Sequence, residues 1–203
     1  MIKRISITAI ISLVVVSLAI VAIAKYQRTV QPAIARLAIA SETNGGVLSL
    51  EVDTLIAATK APSAPAFAEG NWINSDPLTL EKLRGRVVVV EFWTFGCYNC
   101  RNTLPSVKEW DAKYRDRGLT IVGVHTPETT SEYSIDNVRR EVPGLGIKYP
   151  VVTDNDYTTW KAYGVEAWPT ILVLDKQGRI RWVHVGEGRY DETEGVIKTL
   201  LSE

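Results

Sequence analysis

The stretch VVVVEFWTFGCYNC, residues 87–100, contains both cysteines of this 203-residue chain. Its continuous β-branched run predicts a strand that is buried on both faces. Two residues separate the thiols, which suits one turn of a helix, so a helix that begins at Cys97 would bring Cys100 close enough to bond to it. The N–H groups and partial positive charge of a helix N-terminus stabilise a thiolate. We therefore predict that Cys97 is an exposed, activated nucleophile and that Cys100 is its resolving partner.

The cysteine pair has three alternative interpretations: a zinc site, a purely structural disulfide, or two inert cysteines. A zinc site needs about four ligands, but there is no second cysteine pair, and His125 and His184 lack ligand spacing. A purely structural disulfide that closes so short a loop would remove little chain entropy. The third interpretation is a pair of inert, buried cysteines. A strand followed directly by Cys-x-x-Cys favours a redox-active Cys97–Cys100 disulfide, with no metal and no cofactor.

The charge balance of the chain argues against one class of partner. Lys and Arg together number 23, as do Asp and Glu, so the formal net charge is zero. No basic surface is indicated, and we expect no nucleic-acid partner.

The N-terminal segment, residues 1–24, contains an uncharged apolar run from residue 5 to residue 24. A helix of this length rises about 30 Å, the thickness of the hydrocarbon core of a bilayer. We expect a single-pass transmembrane anchor, with the rest of the chain on the extracytoplasmic side of the cell membrane. The alternative is a signal peptide that is cleaved after Ala24, which would give a secreted form.

The remainder divides by composition into a linker and a globular domain. Residues 25–68 include the small, proline-rich stretch 61–66 and are predicted to form a linker or stalk. Residues 69–203 are predicted to form the domain.

Within that domain, strand and helix patterns alternate. Strands are predicted at 72–74, 87–94, 119–125, 169–174 and 180–185, the last two forming a hairpin, and helices at 78–83, 97 to about 116 (kinked at Pro105), 131–141, from Asp154 or Asp156 to Tyr163, and 190–201. The pattern predicts an α/β fold in which a central mixed sheet carries helices on both faces.

Residues 64–201 contain several specific motifs, which are LEKLRG at 80–85, VEFWTFGCYNC at 90–100, TLP at 103–105, YPVVTDND at 149–156, WPT at 168–170 and GEG at 186–188. With these motifs the chain resembles the thioredoxin superfamily, and most closely its membrane-anchored thiol–disulfide oxidoreductases of the TlpA, ResA and DipZ type. The resemblance is strongest to the thioredoxin-like domain of DipZ proteins.

The resemblance implies roles for individual residues. Cys97 would attack a disulfide, and Cys100 would resolve the mixed disulfide. Glu91 matches a buried acid beneath the second cysteine, and its burial should raise its pKa into the range useful for a general base. The alternative for Glu91 is a side chain that points outward from an edge strand. Pro169 matches a cis-proline beside the cysteines.

The substrate-binding residues that we predict surround the cysteine pair; they are Trp93, Tyr98, Asn99, Trp168 and Pro169. The alternative for the two tryptophans, above all for Trp93, is a side chain that belongs to the core. The strand at 119–125 lacks the lysine that thioredoxins pair with the buried acid. Its last residue, His125, is expected to be a solvated loop histidine, and the alternative is a position near the active site.

Three functions remain open at this point. The first is thiol–disulfide exchange with protein thiols and disulfides, whose partners would include cytochrome c apoproteins, as in cytochrome c biogenesis, or a membrane reductant. The second is a thiol peroxidase, because Thr94 and Cys97 have the Thr-x-x-Cys spacing of peroxiredoxins, although Val90 stands where those enzymes have proline. The third is a binding module that retains the cysteines for structure.

Overall fold

A six-stranded mixed sheet lies at the centre of residues 52–203, which are the residues that the computed structural model describes. The strands are β1 (Trp72–Ile73), β2 (Val87–Trp93), β3 (Leu119–His125), β4 (Val151–Thr153), β5 (Thr170–Leu174) and β6 (Ile180–Val185). The α-helices are α1 (Tyr98–Tyr114), α2 (Ile135–Gly144), α3 (Thr158–Ala162) and α4 (Tyr190–Ser202). Short 3-10 helices cover Arg115–Arg117 and Thr130–Tyr133.

Strand β2 occupies an inner position in the sheet order β1-β4-β3-β2-β5-β6. It pairs in parallel with β3 and antiparallel with β5. All seven of its residues are buried, because the sheet carries packed elements on both faces. The prediction of a doubly buried strand is confirmed.

Side chains alternate between the two faces of β2, so each face contributes to a different hydrophobic cluster. Val87, Val89 and Trp93 pack on the face that is covered by α1, α2 and α4. Val88, Val90 and Phe92 pack on the opposite face, against α3 and the turns near residue 80. The predicted arrangement of helices on both faces of a mixed sheet is therefore confirmed.

Helix α1 begins directly after Cys97, which is its N-cap residue. The helix continues through Pro105, and its apolar side is buried as predicted, at Leu104, Val107, Trp110 and Tyr114. Gly118 then adopts a φ of 101°, a left-handed conformation that favours glycine, and the chain turns into β3.

Two of the predicted helices need correction. Residues 80–85 form successive turns rather than a helix, because few residues separate Pro77 from Gly85 and a short helix does not recover its nucleation cost. The helix predicted at 131–141 is a 3-10 turn followed by α2, and extended Ser134 (ψ 115°) separates the two.

The second half of the predicted linker packs against the domain instead of extending from it. Backbone N–H groups of Asp53 and Ile56 donate to the carbonyl oxygens of Val183 and Arg181 on β6, each at 2.8 Å. Strand β6 is an edge strand, so its free polar groups need partners, and this segment supplies them. The boundary predicted at residue 69 is therefore placed too late, since the packed region includes residues 52–68.

The apolar run at 5–24 and the start of the predicted linker lie outside the described residues. Between residues 52 and 203, none of the helices has the length and apolar character that crossing a membrane requires.

The start of α3 depends on one buried carboxylate. Asp154 is 3% exposed, and its two oxygens accept hydrogen bonds from the backbone N–H groups of Thr159 (3.0 Å) and Trp160 (2.8 Å). Of the two aspartates that the sequence offered as caps, Asp154 is the one that caps the helix, and Asp156 is exposed.

We predict that Asp154→Ala lowers the free energy of unfolding by about 1 to 2 kcal/mol, because two N–H groups at the start of α3 lose their acceptor. Urea unfolding of the disulfide-bonded protein measures this change. Asp156→Ala is the matched control and should change stability by less than about 0.5 kcal/mol. Equal effects of the two substitutions would contradict the assignment of the cap.

Candidate active site

Cys97 and Cys100 are joined by a disulfide, with their Cα atoms 5.3 Å apart. Cys97 is partly exposed, whereas Cys100 is fully buried. The backbone N–H of Cys100 donates to the Cys97 Sγ at 3.2 Å, as expected for a sulfur that caps a helix. On reduction, the same N–H would stabilise a Cys97 thiolate. The pair therefore combines an accessible, activated sulfur with a protected one.

Glu91 lies on the face of β2 that also carries Val89 and Trp93, toward the cluster that contains Cys100. It is fully buried, so the alternative of an outward-pointing side chain is wrong. The hydroxyl of Tyr149 donates to Glu91 Oε2 at 2.8 Å, and Oε1 has no hydrogen-bond partner among the described residues. Burial raises the pKa of Glu91 to about 7, and the hydrogen bond from Tyr149 only partly opposes this rise. A carboxyl group with this pKa can accept and release a proton near neutral pH.

Tyr149 was not predicted as a site residue. It is the hydrogen-bond donor to Glu91 in a protein whose β3 contains no lysine. The residue beside Glu91 on β3 is Gly123, where a Cβ atom would lie 2.8 Å from Trp93 Nε1 and 3.2 Å from Tyr149 Cε2. Glycine at this position therefore leaves room for both rings. Tyr149 is the first residue of the YPVVTDND motif at 149–156, but nothing in its local pattern indicates a contact 58 residues away.

The predicted substrate-binding residues divide by exposure. Tyr98 is 76% exposed, and Asn99 is also exposed, so both are available beside Cys97. Trp168 is half-buried: its ring packs against Trp160, and its Nε1–H donates to the carbonyl oxygen of Thr126. Trp93 needs correction, because its side chain is fully buried in the core and has no surface to offer a substrate.

The Trp168–Pro169 peptide bond is cis, as the resemblance implied. The Pro169 carbonyl oxygen accepts from the N–H of Gly186 at 2.8 Å, which joins the proline to the GEG loop. In that loop, Glu187 accepts from Asn102 Nδ2 on α1 at 3.1 Å. These two hydrogen bonds connect the cis-proline, the GEG loop and the first turns of the cysteine helix.

His125 also departs from its prediction as a solvated histidine. It is fully buried, stacks on Phe95 at 5.5 Å between ring centroids, and places Nε2 3.1 Å from Thr94 Oγ1. Burial lowers the pKa of His125 to about 4, so the imidazole is neutral at physiological pH.

Glu132 is a second buried carboxylate at the site, and sequence reasoning missed it. Its Oε1 accepts from the N–H of Gly96, the residue before Cys97, at 2.9 Å. Its Oε2 accepts from the N–H groups of Glu128 and Thr129, both at 2.7 Å. A local signal did exist, since Thr129 and Glu132 form a Thr-x-x-Glu capping box. That signal identifies a turn but does not indicate its contact with the cysteine loop.

Comparison with known proteins identifies the family. The sequence profile of the AhpC/TSA family matches residues 60–183, and the chain belongs to this family of thioredoxin-like proteins. Over 135 residues it is 40% identical to the protein DipZ of Mycobacterium bovis, a match that covers 65% of this chain and 19% of DipZ. The chain therefore spans about a fifth of the length of that relative.

A shorter relative and a solved structure match over nearly their whole lengths. The thiol-disulfide oxidoreductase YkuV of Bacillus subtilis is 27% identical, over 71% of this chain and 97% of YkuV. The crystal structure of a thiol-disulfide isomerase from Corynebacterium glutamicum is 29% identical and covers 69% of this chain and 97% of its own, with a TM-score of 0.63.

The raised pKa of Glu91 has a consequence for stability. Because the folded pKa, about 7, lies above the ordinary value of 4.5, the folded state binds this proton more tightly than the unfolded state does. The contribution of Glu91 to stability is therefore highest below about pH 4.5, falls as the pH rises to about 7, and is constant above that pH. The total loss is about 3 kcal/mol.

We predict that Glu91→Gln removes this loss, because the amide does not ionise. The difference in unfolding free energy between the two oxidised proteins, measured in urea from pH 4 to pH 8, should change by about 3 kcal/mol in favour of the variant. Glu166→Gln, which neutralises an exposed carboxylate, is the control and should parallel the wild type. Parallel profiles for wild type and Glu91→Gln would show that Glu91 titrates normally.

Proposed function

We propose that this chain is a thiol–disulfide oxidoreductase that exchanges electrons with protein disulfides through Cys97 and Cys100. The observation that carries the proposal is the asymmetry of the pair, in which Cys97 is partly exposed at the N-terminus of α1 and Cys100 is fully buried. An exposed attacking sulfur and a protected resolving sulfur are what a two-step exchange requires. The names of the relatives YkuV and the Corynebacterium isomerase support the same chemistry.

In the proposed reduction, the Cys97 thiolate attacks one sulfur of a substrate disulfide, and the other substrate sulfur leaves as a thiolate. Cys100 then gives its proton to the Glu91 carboxylate and attacks the Cys97 sulfur of the mixed disulfide. The second substrate sulfur leaves, and the Cys97–Cys100 disulfide remains. Two electrons pass from the cysteine pair to the substrate, and the reverse sequence inserts a disulfide.

Glu91 suits the second step better than the first. It lies on the face of β2 that points toward the cluster containing Cys100, its pKa of about 7 allows it to accept a proton at neutral pH, and it has no exposed surface from which to reach a substrate. The exposed Tyr98 and Asn99, together with the half-buried Trp168, offer the surface on which a substrate polypeptide would bind beside Cys97.

The peroxidase alternative receives less support from the geometry. Thr94, which would activate a peroxidatic cysteine, is fully buried, and its hydroxyl lies 3.1 Å from His125 Nε2. The residue that resolves Cys97 lies only three positions away and is already bonded to it. Both observations favour exchange between thiols and disulfides.

The test is reduction of insulin with a dithiol donor, comparing the wild type with single-site variants. We expect turnover in the wild type and none in Cys97→Ser. Cys100→Ser should accumulate covalent mixed disulfides with client proteins, whose identities would show whether cytochrome c apoproteins or a membrane reductant are among them. Glu91→Gln should slow resolution of the mixed disulfide more than its formation. Rapid Cys97-dependent consumption of peroxide without trapped partners would instead establish the peroxidase.

We further propose that residues 5–24 anchor the chain in the cell membrane and that the domain functions on the extracytoplasmic side. Support comes from the length and apolar character of that run, and from the oxidising conditions in which a tethered redox pair is useful.

A reporter enzyme that is active only outside the cytoplasm, fused after Glu203, should therefore be active in the membrane fraction. Reporter activity in the soluble fraction would mean cleavage after Ala24. An inactive reporter would place the domain on the other side of the membrane.

A further inference from the structure

A hydrogen bond joins the loop between β2 and α1 to the connection between β3 and α2. Glu132 belongs to the 3-10 helix Thr130–Tyr133 in that connection, and its carboxylate receives the Gly96 N–H at 2.9 Å. The same carboxylate is fixed at its other oxygen by the N–H groups of Glu128 and Thr129. The side chain of Glu132 is fully buried, although Gly96 and Glu128, which donate to it, are exposed.

The absence of a side chain at Gly96 makes this contact possible. A Cβ atom on residue 96 would lie 2.5 Å from Glu132 Oε1, closer than two such atoms can approach. Glycine therefore allows the carboxylate to reach the backbone directly before Cys97. Two independent features therefore support this contact: the buried Glu132 carboxylate that accepts the hydrogen bond, and the absence of a side chain at Gly96 that leaves room for it.

The charge of Glu132 is compensated by dipoles rather than by a cation. Burial raises the pKa of Glu132, but hydrogen bonds from Thr129, Thr94, Glu128 and Gly96 outweigh this effect and hold the pKa below its ordinary value. Glu132 therefore stays ionised at neutral pH.

The titratable side chains that face Glu132, those of His125 and Tyr157, are uncharged at neutral pH and so do not neutralise its negative charge. His125 on β3 is neutral at physiological pH, and Tyr157 before α3 has a pKa raised to about 12, so it is neutral as well. Among residues 52–203, no Lys or Arg side chain forms an ion pair with Glu132.

We propose that Glu132 is a positioning residue that controls the reactivity of Cys97. It fixes the backbone of Gly96, and its buried negative charge opposes formation of the Cys97 thiolate. Since a thiolate belongs only to the reduced state, this charge makes the cysteine pair a stronger reductant than the helix N-terminus alone would. The proposal rests on the exchange chemistry proposed above.

The size of the effect follows from electrostatics. Glu132 Oε1 lies 2.9 Å from the backbone nitrogen of the residue before Cys97. At an effective dielectric constant of about 20, two unit charges within about 10 Å of each other shift a pKa by roughly one unit or more. Glu132→Gln removes the charge at nearly the same side-chain shape, and its amide nitrogen replaces one of the two oxygens that accept from backbone N–H groups. We expect the pKa of Cys97, measured by alkylation rate against pH in the reduced full-length protein, to fall by about one unit.

The redox equilibrium of the Cys97–Cys100 pair should change together with the pKa of Cys97. In the reaction of protein dithiol with glutathione disulfide, which yields protein disulfide and two glutathione thiols, Glu132→Gln should shift the equilibrium up to about tenfold toward the protein dithiol, or about 30 mV. Glu128→Gln neutralises an exposed carboxylate in the same connection and is the matched control, for which we expect no more than about a twofold change.

A purely structural role for Glu132 gives a different result. Lower stability with an unchanged or raised Cys97 pKa in Glu132→Gln would overturn the proposal. If that variant does not fold, Gly96→Ala tests the same contact from the other side, because the added methyl group displaces the carboxylate while its two other hydrogen bonds remain. It should also lower the Cys97 pKa, and an unchanged or raised value would overturn the proposal. The two proposals fail separately, since a chain without a reversible Cys97–Cys100 disulfide would refute the exchange function itself.

Discussion

The burial of β2 on both faces is the constraint on which the rest of the site depends. An inner strand with no exposed residue fixes the position and direction in which the chain leaves the sheet, and only four residues separate the end of β2 from the start of α1. That geometry puts Cys97 at a helix N-terminus with its sulfur partly exposed, and it turns Cys100 inward. The same burial makes the one carboxylate of the strand, Glu91, costly to ionise.

Two buried carboxylates at the site have pKa values that are shifted in opposite directions. Glu91 and Glu132 are both fully buried, yet the pKa of Glu91 is raised and that of Glu132 is lowered. Glu91 receives one hydrogen bond, from a tyrosine hydroxyl, whereas Glu132 receives three from backbone N–H groups. At Glu91, burial outweighs the single hydrogen bond and raises the pKa, whereas at Glu132 the hydrogen bonds together outweigh burial and lower it.

Sequence reasoning succeeded where the determining interactions are local. The periodicity of β2, the N-terminal position of Cys97 and the apolar face of α1 are all properties of short segments, and each was confirmed. Predictions failed or were incomplete where the determining contact is distant in sequence. The hydrogen bond from Tyr149 to Glu91 spans 58 residues and that from Gly96 to Glu132 spans 36, and no local pattern encodes such partners. Trp93 was assigned to the substrate surface because a sequence does not show that Gly123 on the neighbouring strand leaves room for its ring. His125 was assigned to solvent because a sequence does not show that Phe95 stacks on it.

The segment that covers β6 determines how far the domain can be shortened. Removing residues 52–68 would leave the Arg181 and Val183 carbonyl oxygens without their donors, and would take Asp53 away from His184 Nδ1, which lies 2.7 Å from one of its oxygens. An uncovered strand edge of this kind pairs readily with the edge of another molecule. A protein that begins at residue 69 would therefore be prone to self-association, and an assay of such a fragment would report on oligomers rather than on the enzyme.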